Sequence, residues 1–163
     1  MNTLLFIGFI GIGATAMMDL WCMSRKPLLG IPAPNYGMVG RWIGHMVHGQ
    51  FYHESIASSA PIRGEQPIGW TAHYLIGIAF AALLVGIWGQ SWIEHPTLIP
   101  ALAVGIFTVA APFLLMQPGM GAGLAASRTK NPNSARLQSV INHAVFGLGL
   151  YLSGWAVKLS FSL

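Results

Sequence analysis

The sequence predicts an all-α membrane protein, a bundle of four transmembrane helices with a short interfacial amphipathic helix in its first connection. Three observations carry this. The 163 residues are 54% hydrophobic and only 7% charged, and mean hydropathy is +0.60, far from the roughly 25% charged residues of a soluble domain. Apolar runs long enough to cross a bilayer recur along the chain, each near the ~20 residues a spanning helix needs. Four of them, at about 3–23, 69–92, 98–116 and 137–158, fill most of the length. The whole chain therefore reads as one integral membrane domain, with no room for a separate soluble one.

The first span, TLLFIGFIGIGATAMMDLWCM, is interrupted only by Asp19 near its end. A cleaved leader is the rival reading, because Ala14-Thr15-Ala16 resembles a cleavage site. The first residues carry no lysine or arginine for such a leader, so the span reading is kept. Gly8, Gly11, Thr15 and Asp19 share one helical face of small residues, on which a neighbouring helix can approach. The long connection from Ser24 to Ile68 contains Pro27, Pro32, Pro34, Pro61 and Pro67 and cannot be one helix. Within it, about 38–52 is amphipathic: Met38, Val39, Trp42, Ile43, Met46 and Val47 fall on one face and Arg41, His45 and His48 on the other. That pattern fits a helix lying at the membrane surface, its histidines at headgroup level.

In the second span His73, Gly77 and Ala81 share a face, and Trp88 and Trp92 read as interfacial aromatics. The third contains Pro112, which removes the usual donor to the Thr108 carbonyl and predicts a bend. Gln117-Pro118 ends it and opens a glycine-rich stretch, Gly119-x-Gly121-x-Gly123, which lacks the GK[ST] ending of a phosphate-binding nucleotide loop. Asn131-Pro132 reads as N-cap and first residue of the fourth helix. That helix carries Arg136, Gln138, Ser139, Asn142 and His143 before it turns apolar. Gly147 and Gly154 on it suit either internal packing or a homo-oligomer contact.

Seven basic residues lie in the first and third connections (Arg25, Lys26, Arg41, Arg63, Arg128, Lys130, Arg136) and only Lys158 on the other side. By the positive-inside rule both connections face the cytoplasm and both termini face out. The same distribution reads as orientation rather than as a nucleic-acid surface, despite the net charge of +4. Cys22 is the only cysteine, which excludes an intrachain disulfide and a thiolate metal cage.

Asp19, His73 and His143 then converge at similar depth near the inner boundary. Ionisable groups there cost about 2.5–3.5 kcal/mol each on insertion scales, so their one-sided collection suggests a shared site. As a catalytic set, Asp19 would orient His73 or His143 as general base. As an anion or lipid-headgroup site, Arg41, Arg128, Asn131, Arg136 and Ser139 would act beside the glycine-rich turn, whose backbone N–H groups offer a cradle. As a metal site, His53 and Glu54, with His73, His143 or Asp19, supply zinc- or iron-type ligands without a recognised spacing. A haem held between His73 and His143 is a further alternative. Lining a transporter's half-channel is another, and four spans would need an oligomer for that. Neither substrate nor cofactor is readable, and enzyme, transporter and structural subunit stay open.

The segments GATAMMDLW (13–21), GRWIGHM (40–46), FYHESI (51–56), GWTAHYLIG (69–77), QPGMGAGLAASRTKNP (117–132) and FGLGLY (146–151) resemble an uncharacterised bacterial inner-membrane family, domain of unknown function 2938, over nearly the whole chain. The resemblance implies a four-span protein of the bacterial inner membrane; membrane lipid as a partner follows from the anion-site reading above. It places Asp19, Arg41, His53, Glu54, His73, Tyr74, Arg128, Asn131, Arg136 and His143 in the family's motifs, and it implies no reaction. The family pattern has Thr-Pro-Asn-Pro where this chain has Thr129-Lys130-Asn131-Pro132, so Lys130 is the weaker candidate.

Overall fold

The computed structural model describes residues 3–161, all helix, turn and loop, with no strand among them. Seven α-helical pieces follow in order: α1 (Thr3–Leu29), α2 (Tyr36–Met46), α3 (Glu65–Trp88), α4 (Ser91–Glu94), α5 (Leu98–Phe107), α6 (Gln117–Gly119) and α7 (Pro132–Phe161). Four stretches are long and apolar enough to cross a membrane: Thr3–Leu29, Glu65–Trp88, Leu98–Gly119 and Pro132–Phe161. The positions of the two chain ends themselves lie outside the described residues.

The chain forms two compact units. The first comprises Met1–Ala33, Tyr74–Thr108 and Ile141–Leu163. Its core is apolar and includes Ile10, Ala14, Leu84, Trp92, Ile93, Val104, Phe146 and Leu150. Because lipid is as apolar as leucine, burial alone does not bring spans together, and close backbone packing must contribute. Glycines provide it. A Cβ on Gly11 would stand 2.5 Å from the Ile78 Cα, one on Gly105 would stand 2.5 Å from the Gly147 Cα, and one on Gly149 would stand 2.8 Å from the Ala14 Cα. Gly147 and Gly154 thus serve internal packing, Gly154 against the Trp92 ring. Gly8 meets nothing within 4 Å, so only part of the small-residue face of α1 is a helix contact.

Two expectations are corrected in this unit. Trp92 is no interfacial aromatic: it is 3% exposed and donates from Nε1 to the Thr97 carbonyl at 3.2 Å. The second span ends at Trp88, where Gly89 takes φ +78° and turns the chain into α4. A tryptophan following a glycine of positive φ is carried back into the bundle rather than along the helix axis.

The second unit comprises Pro34–His73 and Val109–Val140. The expected disruption around Pro112 takes the form of a turn at 108–109 and a π-helical segment, Pro112–Met116, that leads into α6. Few apolar side chains are buried in this unit, Ile56 and Ala126 among them, and backbone contact does much of the work. Gly40 packs on the Glu65 carbonyl and Gly69 on the Tyr36 carbonyl, each too close for a Cβ. The loop after α2 is tied to the turn after α6 by His53 N–H to Gly119 O (2.9 Å) and Ile56 N–H to Met120 O (3.0 Å). α2 itself is N-capped by Asn35, whose side chain accepts from the Gly37 N–H at 3.0 Å.

Candidate functional site

In the first unit the buried face of α1 becomes polar from its middle onward, through Thr15, Asp19, Cys22 and Arg25. The Tyr74 hydroxyl donates to Asp19 Oδ2 at 3.0 Å, and Arg25, one turn beyond the buried Cys22, is 2% exposed. A carboxylate and a guanidinium thus share one buried neighbourhood, as intramembrane charges must. His143 Nδ1 lies 3.1 Å from both the Gly105 carbonyl and Thr108 Oγ1, while Thr108 Oγ1 donates to that same carbonyl at 2.7 Å. Since the carbonyl only accepts and the threonine proton is already directed to it, Nδ1 carries the imidazole proton. His143 therefore pins the end of α5.

His73 belongs to the second unit. Its ring stacks on Tyr36, centroids 4.1 Å apart, and stands edge-on to Trp70 at 6.0 Å. The catalytic set read from the sequence is thus divided, with Asp19 and His143 in one unit and His73 in the other. The haem reading divides in the same way.

Arg41, expected on the polar outer face of α2, points inward and is 9% exposed. Its Nε and Nη2 grip Glu65 through both carboxylate oxygens at 2.8 and 2.9 Å. Its Nη1 donates to the carbonyls of Ile56, Ala57 and Ser59 at 3.0–3.4 Å. The Glu65 carboxylate holds the guanidinium pKa above its ordinary value. With Nε, Nη1 and one Nη2 N–H directed at five protein acceptors, Arg41 closes the 56–65 loop.

His53, 3% exposed, sits edge-on to His45 with centroids 5.0 Å apart. Its Nδ1 is 2.9 Å from Ser59 Oγ, and Ser59 Oγ donates to the Ser55 carbonyl at 3.1 Å. Gln50 Nε2 stands 3.4 Å from the same Nδ1, and the buried Nε2 of His53 has no hydrogen-bond partner among the described residues. Glu54 beside it is exposed. Among the described residues no group of three or more His, Cys, Asp or Glu side chains is arranged to hold a metal ion.

Burial, reinforced by the charge His45 would carry, holds the His53 pKa below its ordinary 6.5. The unfolded chain then takes up a proton at a pH where the folded chain does not. Stability is complete above about pH 6.5 and falls as pH drops toward the depressed folded value. Thermal melts from pH 7.5 to 5 should show a loss of midpoint that is smaller in His53→Gln than in the wild type.

The glycine-rich turn differs from its expected role. The N–H groups of Met120, Gly121, Ala122, Ala126, Ser127, Arg128 and Thr129 all donate to carbonyls between Met116 and Ala126, which leaves little of the backbone to cradle an anion. Ala125 and Ala126 are held at φ +46° and +60°, a left-handed conformation that alanine rarely takes. Arg136 Nε secures it by donating to the Ala125 carbonyl at 2.8 Å.

α7 begins at Pro132 as the Asn-Pro pair predicts, with Ala135 N–H donating to Asn131 O at 3.1 Å. Asn131, Pro132, Asn133 and Ser134 line a shallow recess of about 300 Å³. Arg136 Nη1 reaches Asn133 Oδ1 at its edge, 3.2 Å away. Arg128 is exposed and donates to the Tyr52 hydroxyl at 3.2 Å. Ser139 lies farther along and accepts from Gln117 Nε2 at 3.4 Å. Among the described residues Arg128, Lys130 and Arg136 have no carboxylate within ion-pair distance.

Sequence reasoning missed Glu65, Tyr52 and Ser59. Glu65 had a signal, being one of only four acidic residues and standing just before an apolar run. No curated protein and no solved structure matches the chain. A family profile described as protein of unknown function (DUF2938) matches residues 8–157, and that span takes in every motif segment quoted above. With four helices able to cross a membrane and a match over nearly its full length, the chain belongs to the DUF2938 family.

Proposed function

We propose that this protein is a multi-pass protein of the bacterial inner membrane that binds an anionic group, a lipid headgroup or a small phosphate- or carboxylate-bearing molecule, at the start of α7. The single observation supporting this is that Arg136 reaches the edge of the Asn131–Ser134 recess and that, among the described residues, neither it nor Arg128 and Lys130, which precede the recess in the chain, has a carboxylate within ion-pair distance. The first turn of a 30-residue helix adds its unsatisfied N–H groups and positive dipole end. Asn131 offers a neutral polar contact, and the positive-inside rule puts this end in the cytoplasm beside anionic headgroups. Arg41, held on Glu65 and the 56–59 carbonyls, is not part of the proposed site.

Native mass spectrometry of the purified protein tests the reading. Retention of phosphatidylglycerol or inorganic phosphate is expected. Arg136→Gln should weaken it by roughly tenfold, the size of one charge-assisted hydrogen bond. Equal retention by Arg136→Gln and Arg128→Gln, or none by the wild type, would remove the proposal.

A further inference from the structure

α2 packs with its polarity reversed from that of a helix on a water-soluble protein. Such a helix buries its apolar stripe and turns charges outward. Here the inward side is Gly37, Gly40, Arg41 and Gly44, set against Gln66, Glu65, Gly69 and Ile62. His45 Nε2 is also bonded inward, 3.0 Å from the Ala60 carbonyl. Met38, Val39, Ile43 and Met46 are left half-exposed. The stripe continues into the turn at Gly49, φ +80°, where Val47 is 82% and Phe51 62% exposed. Water would oppose this arrangement most at the open Val47–Tyr52 end.

Two further features say what covers it. α2 follows the span α1 after only the stretch Gly30–Asn35, so the chain delivers it close to a bilayer surface. At the end of the stripe Tyr52, an aromatic with a polar tip, is bonded to the exposed, carboxylate-free Arg128. That pairing matches a phosphate layer above acyl chains.

We propose that α2 and the Val47–Tyr52 turn are seated in the membrane interface, with the Met38–Phe51 stripe in the acyl boundary and Arg128, steadied by Tyr52, on an anionic phospholipid phosphate. The anionic part rests on the function proposed above and selects its lipid form over a free anion.

The test uses full-length protein in phosphatidylcholine vesicles, with and without phosphatidylglycerol, spin-labelled at Val47→Cys or Phe51→Cys. Cys22 is 2% exposed, and labelling falls on the new thiol, with the wild type as control. Both labels should meet oxygen more often than a water-soluble nickel chelate. Phosphatidylglycerol should deepen the Phe51→Cys label, and Arg128→Gln should abolish that deepening. A label open to the nickel chelate overturns the seating even if the protein retains phosphate in solution. Dipolar broadening between copies, with the label closed to both reagents, overturns it in favour of a second chain on the stripe. Depth unaffected by phosphatidylglycerol or by Arg128→Gln overturns the anionic part, whereas loss of anion retention with both labels still deep would strike only at the proposed function.

Discussion

Gly69→Ala and Gly40→Ala are each expected to prevent α2 from docking on the start of α3. The Cβ of either would fall onto a backbone carbonyl, of Tyr36 in one case and of Glu65 in the other. Neither acceptor is the tip of a flexible side chain, so relief requires moving a helix. Overpacking of this kind typically costs about 1–3 kcal/mol. Both sides of this crossing are main chain, so we expect the upper end of that range. Fluorescence-detected size exclusion after heating should show midpoints lowered by several degrees. Gly8→Ala, whose Cβ meets nothing within 4 Å, is the matched control and should leave the midpoint unchanged.

Arg41→Lys should destabilise nearly as much as Arg41→Gln, which separates a planar fork from a mere positive charge. The guanidinium serves Glu65 with two parallel bonds and three carbonyls with Nη1. A lysine ammonium has three donors and no fork. Cutting should concentrate in the 56–65 loop, so limited proteolysis reports the effect where melts are difficult. Phosphatidylglycerol retention should persist in whatever fraction of Arg41→Lys remains folded. A stable Arg41→Lys that has lost its lipid would return this arginine to the anion-binding group.

The four spans and the Asn131-Pro132 helix start were legible because each follows from a local rule, apolar length in one case and capping chemistry in the other. The disruption near Pro112 was legible for the same reason, since a proline without an N–H cannot continue the ladder. The direction of α2 was not. A helical wheel sorts residues by polarity but does not say which face meets protein, and that depended on Glu65, 24 residues along the chain from Arg41. The glycine-rich turn misled for a related reason. Glycines permit an open cradle and a closed turn alike, and only the destinations of the N–H groups distinguish them. Trp92 read as interfacial because its position in sequence was taken as its height in a continuous helix, and Gly89 breaks that relation.

The contacts Gly11–Ile78, Gly105–Gly147 and Gly149–Ala14 have a consequence for how the first unit can move. Side-chain packing can be reshuffled by rotamer changes, so helices held that way slide by small steps. A seam of main chain on main chain has no such freedom. Rotating or translating one helix by a residue would bring a Cβ to a place with room only for a hydrogen. These glycines act as a ruler, fixing the register of the spans as well as their spacing, and any motion of these helices must carry each seam as a rigid piece.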